Sequence, residues 1–92
     1  MIALARSVIE AARFFELTSD DLVDPDTAVK ALEGIAHELG RIDDAERSAL
    51  RDALDELIGE ELAGRDGSPP RQEVVEFYES FMENFSLEEG ID

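Results

Sequence analysis

The chain has 92 residues, 43% of them apolar, and a formal charge of −16 from 24 acids against eight bases. That length and apolar content fit one folded domain with one modest core and argue against wholesale disorder. The charge disfavours direct binding to nucleic acid or anionic membrane, both of which reward cations, and the lack of cysteine excludes disulfides and zinc–thiolate sites.

Helical periodicity begins near Ile2 and runs to Leu17. On a helical wheel Leu4, Val8, Ala11, Ala12 and Phe15 share one side, with Arg6, Glu10 and Arg13 opposite. Arg6 with Glu10, and Glu10 with Arg13, stand at spacings that permit ion pairs. Phe14 falls off the stripe; an exposed aromatic among carboxylates would resemble an interface anchor.

Thr18-Ser19-Asp20-Asp21 breaks the pattern, and a second helix opens at Asp24-Pro25-Asp26. Asp24 suits the cap and Pro25 the first helical position, where an N–H has no partner to lose. Ala28, Leu32, Ile35, Ala36 and Leu39 are expected to make its buried stripe, and Gly40 its stop. Asp20, Asp21 and Asp24 spell the DDxxD of magnesium–diphosphate sites, yet a chain this short cannot build the cavity such a site serves. They are read as turn and cap residues. An EF-hand reading fails because Pro25 stands where glycine is required and Ala31 where glutamate is. The lone histidine, His37, falls on the polar arc with Lys30 and Glu33 and reads as a solvated side chain.

A third helix begins at Asp43, with Glu46 completing a capping box, and carries Leu50, Ala53, Leu54, Leu57 and Ile58 toward the core. Gly59 weakens or ends it, and Gly64 ends it. The stretch from Gly64 to Pro70 is loop by composition. In the fourth helix Val74, Phe77, Tyr78, Phe81, Met82 and Phe85 share one arc, and Val75 extends it. Glu73, Glu76, Glu79 and Glu83 cover the opposite arc, and Tyr78 sits at the margin, where its hydroxyl is expected within reach of solvent or a partner. Leu87 and Ile91 lie in a tail that can fold back.

The expected fold is all-α: a compact antiparallel bundle of about four helices forming one domain over residues 1–92. No phosphate-binding glycine loop, nucleophile elbow or metal-ligand spacing is present, so no cofactor, no metal and no enzymatic activity are expected. Nothing in the chain resembles a secretory leader or a membrane span, and the expected location is cytoplasmic.

Acidity is polarised. Residues 1–51 hold eleven acids and six bases, a net of −5; residues 52–92 hold thirteen and two, a net of −11. Asp52, Glu56 and Glu60 repeat at helical spacing, as do Glu76, Glu79 and Glu83, which sets like charges beside one another. A solvated face, adaptation to high salt and a docking face for a basic protein each account for this. In size, charge and helix count the chain is similar to the small acidic four-helix immunity proteins of bacteriocin nucleases, a likeness that carries no motif and assigns no residue. The expectation is an acidic protein-binding module, most concretely an immunity or inhibitor protein or a nucleic-acid mimic that occludes a basic partner. Its binding residues are taken as Asp52, Glu56, Glu60, Glu73, Glu76, Tyr78, Glu79 and Glu83. The alternative is an assembly protein, such as a helical homodimer, whose acidity serves solubility.

Overall fold

The computed structural model describes residues 1–64 and 67–87, and every regular element within them is a helix: α1 (Ile2–Leu17), α2 (Pro25–Leu39), α3 (Asp44–Ala63), α4 (Gln72–Glu79) and the short α5 (Phe81–Asn84). The helices pack on one another as an all-α bundle. No helix among the described residues is long and apolar enough to cross a membrane.

Local chemistry sets the boundaries. The Thr27 amide donates to Asp24 Oδ2 at 3.0 Å, with Pro25 in the first turn of α2. Asp43 and Glu46 close a capping box: the Glu46 amide donates to Asp43 Oδ1 at 2.7 Å and the Asp43 amide to Glu46 Oε1 at 3.0 Å. α3 continues through Gly59 and stops at Gly64, whose φ of +77° is the left-handed cap. A Cβ at Gly64 would lie 2.4 Å from the Ser68 carbonyl oxygen, so only glycine fits there.

The single fourth helix of the sequence reading is divided at Ser80 (φ −100°, ψ 2°). Its hydroxyl donates to the Glu76 carbonyl at 2.8 Å, and such back-bonding competes with the backbone ladder and bends helices. α5 ends in a Schellman motif: the Leu87 amide donates to Met82 O at 2.7 Å and the Ser86 amide to Glu83 O at 3.0 Å. Ser86 itself takes φ +58°, a position glycine usually fills, and Leu87 is buried. Ile91 lies outside the described residues.

The core corrects two stripes, that of α1 and most of that of α2. α1 buries Ala5, Ile9 and Ala12, whereas Leu4 is 73% exposed and Ala11 is exposed. The helix is apolar around most of its circumference, so its periodicity alone does not select the buried face. Against that line pack Leu50, Ala53, Leu54 and Leu57 of α3 and Val74, Phe77 and Tyr78 of α4. Phe77, Phe81 and Phe85 form an aromatic ladder with centroids 5.8 and 4.7 Å apart. α2 runs back along α1, its Leu39 beside Val8 and its Val29 and Leu32 beside Leu17. Leu39 is its only buried residue, and the rest of its apolar stripe stays partly or fully open to solvent.

Candidate functional site: an acid-rimmed groove

Most cations whose partners are resolved hold helices to one another or to their own first turn. Arg6 of α1 reaches across to α3, donating to both carboxylate oxygens of Glu60 at 2.8 and 2.9 Å and to Glu56 Oε1 at 3.1 Å. Those bonds, Glu60 foremost, raise the guanidinium's pKa against the opposing pull of desolvation. Arg13 donates to both oxygens of Glu10, and the Tyr78 hydroxyl donates to Glu10 Oε1 at 2.7 Å, joining α1 to α4.

The third seam closes the α3–α4 loop. Glu61 is 4% exposed and accepts the Arg71 amide at 2.9 Å, its Nε at 3.0 Å and its Nη2 at 2.9 Å. A carboxylate buried this far is tolerated because a planar guanidinium and a backbone amide meet both its oxygens. Hydrogen bonding to Glu61 raises the pKa of Arg71 in turn. Arg47 is bound to Asp44 at 2.6 Å within α3.

Between α2 and α4 the carboxylates have a different setting. An open groove of about 670 Å³ has a floor of Leu17, Val29, Leu32, Ala36, Phe77 and Phe85 and a rim carrying Glu16, Glu33, Glu73 and Glu76. No cation is among its described lining residues. The groove exists because α2 leans mainly on α1 and not on α4, which leaves the α2 stripe facing an unfilled space. Val29 is 53% exposed there, on a helix whose apolar residues would otherwise be core. An apolar floor with a one-signed rim can take a chain segment that has an apolar stripe and basic flanks.

The residues singled out from sequence divide into four groups. Glu73 and Glu76 line the groove. Glu79 and Glu83 are exposed but outside its lining. Asp52 is exposed on α3, while Glu56 and Glu60 beside it are bridged by Arg6, which relieves the like-charge contact expected there. Tyr78 is corrected: it is 2% exposed, and its hydroxyl is used inside the bundle on Glu10, out of a partner's reach. Its place at the margin of the arc points it at α1. Glu16 and Glu33 are groove residues the sequence did not single out. They sit on other helices from Glu73 and Glu76, and only the packing of α1, α2 and α4 brings the four together.

Phe14 is 51% exposed and packs edge-on against Phe15 at 5.4 Å. Compared with known protein families, curated proteins and solved structures, the chain matches none.

Proposed function

We propose that this chain is an acidic protein-binding module that captures a basic partner, most concretely as an inhibitor or immunity protein of a basic toxin such as a nuclease. The observation that carries the reading is the groove between α2 and α4, with an apolar floor, four rim glutamates and no cation among its described lining residues. A partner segment presenting a leucine-like stripe would fill the floor while its Lys and Arg meet Glu16, Glu33, Glu73 and Glu76. Complementary charge speeds encounter, which suits an inhibitor that must reach its target before a substrate does. In a nuclease the same cations serve phosphate, so occupying them is inhibitory by occlusion.

The test compares captures from host lysate by the wild type and by a Glu73→Gln/Glu76→Gln variant, each at low and at high salt. One basic protein held by the wild type at low salt, released at high salt and not held by the variant is the expected result. Equal capture by the variant removes the groove as the binding site. A second reading, an assembly protein whose acidity serves solubility or salt adaptation, is favoured by one observation: the outer face of α1 is apolar and uncharged.

A further inference from the structure

In a chain of net charge −16, one face lacks charge altogether. At about 100° per residue, Leu4, Ser7, Ala11 and Phe14 fall within an arc of roughly 80° on α1. All four are exposed, Leu4 by 73% and Phe14 by 51%. Their order is large, small, small, large, and their spacing reads the same from either end: three residues, then four, then three.

We infer that this face pairs with the same face of a second copy of the chain, as an antiparallel α1–α1 contact about a two-fold axis lying between Ser7 and Ala11. An isologous contact requires that residue i meet j while j meets i. The symmetric spacing supplies that: Leu4 of each copy meets Phe14 of the other, and Ser7 meets Ala11. Ala3, Ser7 and Ala11 form one row of small side chains at i, i+4 spacing, which lets a second helix approach to about 8 Å. The large residues then close the two ends.

Charge selects this occupant over others. A basic partner gains nothing from an arc without a carboxylate, and an anionic membrane repels the chain as a whole. Two copies must instead meet where their own acids are absent or neutralised. The flank of this arc meets that need, since Glu10 is held by Arg13 and Tyr78, and Arg6 is held by Glu56 and Glu60. Elsewhere, at the groove, two copies would bring glutamate rims together.

The salt response of this contact is opposite in sign to that of the groove. Screening the mutual repulsion of two acidic chains strengthens an uncharged contact, whereas it weakens capture of a basic partner. Sedimentation of the purified chain over a concentration series, at about 0.05 M and about 0.5 M salt, reads this directly. The expected result is a monomer–dimer equilibrium that tightens at the higher salt. In Ala11→Arg, which keeps a good helix former on an exposed site, the dissociation constant rises at least about tenfold with the thermal melt at matched low concentration unchanged.

Register is tested separately, using the absence of native cysteine. Ser7→Cys mixed with Ala11→Cys should form a mixed disulfide faster than either variant alone. A chain that stays monomeric at both salts overturns the inference. So does a dimer indifferent to Ala11→Arg, or homogeneous Ser7→Cys cross-linking that outpaces the mixture. None of these outcomes bears on the groove, whose test is capture of a basic protein.

Discussion

Glu61 and Glu76 carry the same side chain into opposite settings. Glu61 is buried and clasped by the guanidinium and amide of Arg71. Glu76 stands exposed on the rim of a groove whose described polar lining is otherwise other glutamates, Ser80 and Asn84, and Gln72 donates to it at 3.2 Å. The contrast extends to whole regions. Along the seams that join α1, α3 and α4, each arginine is matched to carboxylates, and charge holds helices together. Across the α2–α4 groove no cation stands among the described lining residues, and the four rim carboxylates share an apolar floor. A net charge of −16 thus covers more than one setting, with some carboxylates held by arginines along the seams and four on the rim of the groove.

Substitutions on the two sides should therefore separate cleanly. Arg71→Ala removes the charge and the two guanidinium hydrogen bonds that Arg71 brings to the buried Glu61 carboxylate and should cost about 2–4 kcal/mol near neutral pH, read by chemical denaturation. Unchanged stability would place this contact outside the energetics of the α3–α4 seam.

Tyr78→Phe removes a donor from Glu10 while keeping the ring, and should cost about 1–2 kcal/mol in the same assay. Retained stability would place the Glu10 contact outside the energetics of the α1–α4 seam. Ser86→Gly should raise stability by roughly 0.5–1 kcal/mol, because the residue at φ +58° is relieved of its Cβ. On the groove side the effect on folding should be smallest. Glu73→Gln/Glu76→Gln should leave stability unchanged or raise it by a few tenths of a kcal/mol, while slowing association with a basic partner at low salt.

What the sequence made legible was local. Asp24, the Asp43–Glu46 box and Gly64 mark helix ends because a cap depends on neighbours within a few residues. Amphipathic spacing likewise assigns the α3 and α4 faces. The seams were not legible, since Arg6 meets residues 50 and 54 positions away and Tyr78 meets Glu10 across 68. Nothing local announces which of 24 acids an arginine will choose. α1 misled for a related reason: Ile2, Ala3, Leu4, Ala5, Val8, Ile9, Ala11, Ala12, Phe14 and Phe15 wrap the helix so broadly that packing alone decides which line is buried. Half of the groove rim was visible as the acidic arc of the fourth helix. Glu16 and Glu33 join it only through the packing of α1, α2 and α4.

The proposed role requires that the α2–α4 groove, and not acidity at large, receive a basic segment. It is tested most directly by backbone amide shifts of the isotope-labelled chain on titration with a synthetic amphipathic helix of leucines flanked by lysine and arginine. Shifts concentrated at Val29, Leu32, Glu33, Ala36, Glu73, Glu76 and Phe77, and diminished by salt, are the predicted result. Shifts centred on the α3 face at Asp52, or spread evenly over all exposed acids, would contradict it.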